Sequence, residues 1–429
     1  MEISDKLKSS FERVESAGMA AIDAVQTEVR DFLDRLKQHI IQNPEPIFAI
    51  LRRVKPILIV KNTALVTLFE DVQEVLSRDD VFQVTYREKM EVIGGGGNFF
   101  LGMQNSPEYE RDVSHMRTVV RREDLPGHVL PFVSQAAESQ VAASGGRLDV
   151  VQRLGRVVPT RWVVAYFGCL RTEEKDLADA ATVMFQYLFT DLTNDPAVGN
   201  AARDAAARTR DWLDRSVAQR KALASQPDDV IGRCLALQKA GVPGMDDTDI
   251  RNNLLGLLIG AIPTTSKCCA QALDELLKRP DKLEEAREAA RADNDTLLAQ
   301  YVFEALRFNP NNPGVFRTTA EDYVVAKSTM HATKIPRGTS VIAATQSAMF
   351  DERFVESANE FRTGRPAYVY MHFGYGLHKC FGEYINRVQI PGILKPLLKR
   401  RGLRRAEGAA GQLEYRGPFP SSLCVLFDE

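Results

Sequence analysis

Residues 373 to 382 read Phe-Gly-Tyr-Gly-Leu-His-Lys-Cys-Phe-Gly, and the rest of the chain is best understood outward from this decapeptide. Gly374 and Gly376 can take positive φ and let the backbone curl tightly ahead of Cys380, so that main-chain N–H groups surround its sulfur. Such donors favour a thiolate. Gly382 lies two residues past the cysteine, at the start of a predicted helix, where the missing side chain leaves room for a flat ligand. The N-terminal field of that helix adds to the stabilisation of a negative sulfur. An inert cysteine in a glycine-rich turn does not require the full Phe-Gly-x-Gly-x-His-x-Cys-x-Gly spacing.

Two upstream stretches bear on the same chemistry. Glu304-Ala-Leu-Arg307 places an acid and a base three residues apart, on one helix face, where they can pair. A long helix is predicted from Asp247 to Lys278, with Asp246, Asp247 and Asp249 at its positive end, Pro280 beyond its end and an apolar centre from Leu254 to Ala261. It contains Gly260-Ala-Ile-Pro-Thr-Thr265. Pro263 removes the helical bond to the Ile259 carbonyl and opens a kink, at a cost of ~3 kcal/mol or more.

With these stretches the sequence resembles the cytochrome P450 family, whose proximal loop is Phe-Gly-x-Gly-x-(His/Arg)-x-Cys-x-Gly. The resemblance implies a mainly α fold with small β-sheets, the cytochrome P450 fold. It also implies a haem b whose iron is bound axially by Cys380. By the same resemblance His378 hydrogen-bonds a haem propionate, and Phe373, Gly374, Gly376 and Gly382 shape the loop beneath the cofactor. Glu304 and Arg307 become a structural pair joined by a third basic residue, for which Arg353 and Arg362 both qualify. Thr264 takes the threonine position of the oxygen-binding segment, with Ala261 and Pro263 beside it, and Pro263 stands where the family carries an acid.

The run Asn105 to Asp112 resembles the lead into a helix bearing a His/Trp-x-x-x-Arg propionate pair. Aligned from its far end, that helix has Arg117 at the arginine and Val113 at the aromatic or histidine position. Arg317, in Pro313-Gly-Val-Phe-Arg317, falls where another propionate-binding arginine is expected. The resemblance runs from about residue 44 to the C-terminus, which predicts an amphipathic helical extension over 1–42 and a haem domain over 43–429. Pro391 and Pro396 are expected to interrupt the helix after Cys380 early.

Composition sets the wider bounds. The 429 residues are 44% hydrophobic and 26% charged, an ordinary globular balance, and the net charge of -2 gives no global reason to expect nucleic acid as a partner. The 6 cysteines show no CxxC pair or zinc spacing, which suits a reducing compartment. No basic-then-apolar leader and no apolar run of roughly 18 residues is present, so neither a signal nor a transmembrane anchor is expected, and a cytoplasmic location is. Residues 56–60 and 63–67 predict a hairpin about Lys61-Asn62. Gly94 to Gly97 lack a following Lys-Ser/Thr and predict a flexible loop, not a phosphate cradle, and residues 108 to 308 are dominated by helical periodicity.

Three functions fit these features. The first is a monooxygenase that oxidises a hydrophobic small molecule with O2. Its electrons come from a separate ferredoxin and ferredoxin reductase, because the chain holds no flavin domain or cysteine-rich cluster motif. The second is a peroxide-using enzyme, a peroxygenase or a lipid hydroperoxide isomerase or dehydratase, favoured by the loss of the acid at Pro263 and opposed by the retention of Thr264. The third is a haem-thiolate protein that binds a ligand without turning it over. Apolar lining is expected from Phe99 to Leu101, Met184 to Phe189, Leu257 to Ala261 and Asn312 to Val315. Lys379, Arg387, Lys395, Lys399, Arg400 and Arg401 make an expected basic docking patch for an acidic ferredoxin.

Overall fold

The long predicted helix forms, and the other helices are arranged about it. In the computed structural model, which describes residues 44–97, 99–191 and 194–428, it runs Asp247–Leu277. The Asp246 carboxylate accepts from the Asp249 N–H at 2.8 Å, and the Asp249 carboxylate accepts from the Asp246 N–H at 3.3 Å, so two orphan donors are satisfied reciprocally. Leu254, Leu258, Ile259 and Leu273 are buried completely, each contributing roughly 1.5–3 kcal/mol. Pro263 lies inside the helix without ending it. Helices Val157–Phe167, Glu174–Phe185, Pro196–Lys221, Asp295–Phe308 and Glu383–Leu398 pack around this axis. Among the described residues no helix is long and apolar enough to cross a membrane.

Of the described residues, 44–55 fall in one unit and 56–428 in another. In the first, the helix Glu45–Val54 carries a Glu45–Arg52 ion pair of 2.7 Å. The expected amphipathic helix over 1–42 lies outside the described residues.

The strands form small sheets, and helices dominate the chain. Strands β1 (Ile57–Val60) and β2 (Thr63–Val66) make the expected hairpin, with Lys61 in the left-handed region at φ 54°. Together with β3 (Phe82–Gln83), β5 (Val315–Thr319) and β8 (Ser340–Ala343) they give a five-stranded sheet in the order β1-β2-β8-β5-β3. Only β2 and β8 are parallel, so β5 sits between two antiparallel neighbours. The helical middle of the chain is broken by β4 (Arg147–Asp149), which pairs with β12 (Cys424–Leu426) near the C-terminus. A separate hairpin joins β10 (Glu414–Arg416) to β11 (Phe419–Ser422). In the glycine run, Gly94 ends the helix Arg87–Gly94, Gly95 caps it at φ 72°, and a Cβ on Gly97 would lie 2.4 Å from the Asn252 amide nitrogen.

Two expectations are corrected. The helix after Cys380 is not interrupted early: it continues through Pro391 and Pro396 to Leu398. Each interior proline costs ~3 kcal/mol. Against this, Ile390, Ile393, Leu394, Leu397 and Leu398 are buried at roughly 1.5–3 kcal/mol apiece. Gly392 lets the helix Leu130–Ala142 come close, since a Cβ there would lie 3.1 Å from Leu130 and 3.2 Å from Val133.

The second correction concerns the partner of Glu304 and Arg307. The pair forms at 2.7 Å with both side chains fully enclosed. Neither Arg353 nor Arg362 adds the third guanidinium: Arg353 pairs with Asp351 at 2.5 Å, and the Arg362 side chain reaches the exposed Glu356 at 3.1 Å. Arg365 supplies it, donating to Glu304 at 3.1 Å and to the carbonyls of Glu356, Ser357 and Glu360. Arg362 contributes only its main-chain N–H, at 3.0 Å. Arg365→Met should therefore lower stability to chemical denaturation by on the order of 3 kcal/mol, the penalty of stranding a buried charge. Arg362→Met should stay within about 0.5 kcal/mol of the parent. Equal effects would show that Glu304 does not depend on Arg365.

Candidate functional site

The Cys380 loop is closed by its own backbone. The Cys380 N–H donates to the Phe373 carbonyl at 2.8 Å, the Lys379 N–H to Gly376 at 3.2 Å and the Gly374 N–H to Met371 at 3.1 Å. Gly374 and Gly376 both sit at φ 73°, and a Cβ on Gly376 would lie 2.2 Å from the Leu76 carbonyl oxygen. Burial pushes the Cys380 thiol up from its ordinary range, and the Gly382 N–H acts in the opposite direction. A Cβ on Gly382 would stand 4.0 Å from the Cys380 sulfur. Phe373 packs on Phe303 with ring centres 5.8 Å apart, tying the loop to the helix Asp295–Phe308.

The long helix meets this loop through its central turns. Thr264 and Ala261 are half-buried and Pro263 is buried. The Thr264 hydroxyl donates to the Gly260 carbonyl. Thr265 donates to the Asn386 side-chain oxygen at 3.0 Å, joining the long helix to the helix that follows Cys380. Cys268, one turn beyond Thr264, is close enough to Cys380 for their charges to act on each other.

Cationic and polar groups lie beside the loop with few partners. Arg317 is 3% exposed and donates to the neighbouring Phe316 carbonyl at 2.8 Å. It has no ion-paired carboxylate among the described residues, and burial lowers its pKa. Neither ring nitrogen of His378 has a hydrogen-bond partner, and burial, followed by the Arg317 charge, lowers its pKa to about 4. Arg117 donates to the Phe381 carbonyl at 2.6 Å and lies 3.8 Å over the Phe381 ring.

Sequence reasoning missed Tyr109. Its hydroxyl donates to the Leu377 carbonyl at 3.0 Å, and its ring meets His378 edge-on at 5.0 Å. Tyr109, Val113 and Arg117 recur every four residues along the helix Pro107–Val119, so carrying the spacing one turn towards the N-terminus from the half-buried Val113 finds the aromatic. Phe419 was missed as well. With Phe185, Phe189 and Tyr86 it forms an aromatic cluster, at 5.6 Å from Phe185, while Phe189 lies 4.6 Å from Phe185 and 4.7 Å from Tyr86. Phe100 meets Phe381 at 5.2 Å, and Gly256 leaves the space that the Phe99 ring fills.

The expected basic patch is largely neutralised. Glu383 takes both Lys379, at 2.7 Å, and Arg387, at 2.8 Å. Asp295 and Asp293 hold Lys395 at 2.6 and 2.9 Å, Asp293 holds Lys399 at 2.6 Å, and Arg400 pairs with Glu138.

A family profile described as Cytochrome P450 matches residues 172–404. The chain belongs to this family. A bifunctional dioxygenase–epoxy alcohol synthase of Fusarium oxysporum is 23% identical over 395 residues, covering 83% of this chain and 30% of that protein. The chain thus spans about a third of the length of the first fungal relatives it matches. A mycinamicin IV hydroxylase/epoxidase of Micromonospora griseorubida is 25% identical over 350 residues, covering 78% of this chain and 81% of that one. The crystal structure of CalO2 superposes with a TM-score of 0.77 at 21% identity, covering 91% of this chain and 97% of the other.

Haem is the cofactor of this P450 chain, and its residues fit that group. A planar dianion bearing iron needs a soft ligand, cations not already neutralised and a backbone it can approach. The Cys380 sulfur, the buried Arg317 without an ion-paired carboxylate, the orphaned nitrogens of His378 and the missing side chain at Gly382, whose Cβ would stand 4.0 Å from the sulfur, meet those needs. The two loop glycines should respond differently to substitution. A left-handed alanine costs about 1–2 kcal/mol in strain, and Gly374→Ala, in open space, should lose no more than that. Gly376→Ala adds the collision with Leu76 and should lose clearly more, with less haem retained per chain on purification. Equal losses would show that the close approach does not constrain the loop.

Proposed function

We propose that the chain is a haem-thiolate monooxygenase acting on a hydrophobic small molecule. The observation that carries this is the approach of the long helix, at Thr265 and Cys268 just beyond Thr264, to Cys380 and the helix that follows it, with the buried Arg317 and the orphaned His378 beside the loop. Cys380 is assigned as the protein ligand of the iron, and Arg317 and His378 as the groups that take the propionates. Charge-assisted bonds to a buried carboxylate are the strong kind and relieve the desolvation of Arg317. Arg117, engaged with Phe381, braces the residue next to the ligand. Bound there, haem supplies the activation of dioxygen and the insertion of one of its atoms into a C–H bond.

The side chains bind, orient and move protons. The Thr264 hydroxyl, resting on the Gly260 carbonyl, can turn to hold a water on the oxygen side. Phe185, Phe189, Phe419 and Tyr86 offer an apolar surface that excludes bulk water and suits an aliphatic or aromatic substrate. Electrons come from a separate ferredoxin and reductase. Because Glu383, Asp293 and Asp295 already hold most of the basic residues near the loop, docking there is guided by shape more than by net charge and depends weakly on salt.

Cys380→His should abolish the red-shifted Soret band of the ferrous carbonyl, while substitution of each of the other five cysteines should leave it. Persistence of the band would remove the central assignment. With ferredoxin, reductase and NAD(P)H, Thr264→Ala should consume reductant at a similar rate but divert it from product to H2O2. Unchanged product per NAD(P)H, with turnover from added H2O2, would transfer the chemistry to the peroxide route.

A further inference from the structure

Between Arg251 and Asp274 the long helix carries one charged side chain, Lys267. It lies one turn beyond Pro263 and three residues beyond Thr264, so its Cβ is a neighbour of both on the helix surface. Lys267 is half-buried, with its amine 5.8 Å from the centre of the Phe419 ring, the outer limit of a cation–π contact. No hydrogen bond or ion pair holds it among the described residues. Desolvation lowers its pKa to about 8, and Cys268 on the same helix acts against that shift. An ammonium held this way needs an acceptor.

The surroundings decide which acceptor. Lys267 lines a cavity of about 10 Å³ with Pro263, Ser266, Thr182, Arg156 and Phe419. That is close to the least space that holds a water, roughly 10–15 Å³, and far too small for the carboxylate of a substrate. Arg156, the other charge facing the cavity, is committed to Asp179 on the helix Glu174–Phe185. The Ser266 hydroxyl lines the same cavity, so a water there has a donor in Lys267 and an acceptor in Ser266.

We propose that Lys267 supplies protons to oxygen-driven turnover, passing them through the water of this cavity to the Thr264 side. The inference rests on the monooxygenase reading. That reaction takes one substrate C–H, O2, two electrons from the ferredoxin and two protons; the O–O bond breaks, one oxygen enters the C–H bond and the other leaves as water. For each proton, a Lys267 N–H bond breaks and its electron pair stays on nitrogen, an O–H bond forms on the water while another O–H bond of the same water breaks and passes its proton to the Thr264 side, and the amine is reprotonated from solvent. A group titrating near neutral pH is suited to this work. Peroxide brings both protons with it, so a peroxide-driven reaction bypasses Lys267.

Lys267→Met and Lys267→Arg test this with ferredoxin, reductase and NAD(P)H in one arm and H2O2 in the other. Oxygen-driven product formation should fall on the order of a hundredfold in both variants, because the guanidinium keeps the charge but does not release a proton. Reductant should then appear as H2O2, and peroxide-driven turnover should be unchanged. In the parent, oxygen-driven coupling should decline as pH rises through about 8. A readout without turnover accompanies these. A folded pKa of about 8 lies below the ordinary 10.5, so the unfolded chain binds more protons between them, and parent stability should rise relative to Lys267→Met over that window. Retained oxygen-driven coupling in Lys267→Met, equal loss in both arms, or no relative rise in stability would overturn the proposal. A parent that makes product from H2O2 but none from O2 would instead remove the monooxygenase reading, and this proposal with it.

Discussion

A carboxylate with no access to water must be saturated by donors, and Glu304 imposes that demand on the whole proximal half of the molecule. The effective penalty of burying such an ion is several kcal/mol, repaid only when its lone pairs are met. Four groups meet them: Arg307, Arg365, the Tyr370 hydroxyl at 2.9 Å and the Arg362 N–H. Arg307 in turn donates to the carbonyls of Met349, Ala358 and Glu360. The segment from Met349 to Tyr370 has little regular secondary structure, so these bonds take the place of a ladder in holding it. His372, whose ring is 2.9 Å from the Phe303 carbonyl, and Phe373, whose ring is tilted against that of Phe303 at 5.8 Å, extend the same attachment to the start of the cysteine loop. The place of Cys380 is inherited from Glu304.

What could be read in the sequence was whatever has a local period or a tight spacing. The decapeptide around Cys380, the Glu304–Arg307 pair and the capped apolar helix are of this kind, because neighbours three or four residues apart must meet. Arg365 was not legible, since three arginines in an aperiodic segment are equivalent until the path of the chain is known. The expected basic patch failed for a related reason. Its cations lie close together in sequence, whereas Asp293, Asp295 and Glu138 arrive from distant segments. Pro391 and Pro396 misled because propensity speaks for an isolated helix, and here packing against Leu130–Ala142 outweighs it.

The surroundings of the Cys380 loop accept polar groups left without partners. Arg317 occupies β5, opposite Val341 of β8, and β3 pairs with the next two residues, Thr318 and Thr319, which leaves its backbone little freedom. An unpaired guanidinium on such a strand is costly in the absence of an anion, and the rigidity of the sheet prevents the side chain from escaping that cost by moving the backbone. His378 is held in a similar position by a loop closed by its own backbone bonds, with Gly376 set against the Leu76 carbonyl. In the proposed reading the charge that would bind a dianion is therefore built in beforehand, so less reorganisation would oppose binding.

The adjacent threonines of the long helix divide two tasks that one residue could not perform. Thr265, 1% exposed, gives its hydroxyl proton to Asn386 and so fixes the long helix against the helix that begins at Glu383. Asn386 is in turn anchored by its N–H to the Gly382 carbonyl at 2.9 Å, two residues from Cys380. The long helix and the Cys380 loop are thus joined by a short chain of hydrogen bonds. Thr264, turned about 100° from Thr265 on the helix, is left with only the Gly260 carbonyl, an internal bond that can be exchanged for one to water at little cost. Pro263 loosens the turn in which this exchange occurs, and the Thr265–Asn386 bond limits how far the loosening can spread along the helix. The proposed reading asks for mobility at this one hydroxyl, and the Thr265 anchor beside it keeps the rest of the turn in place.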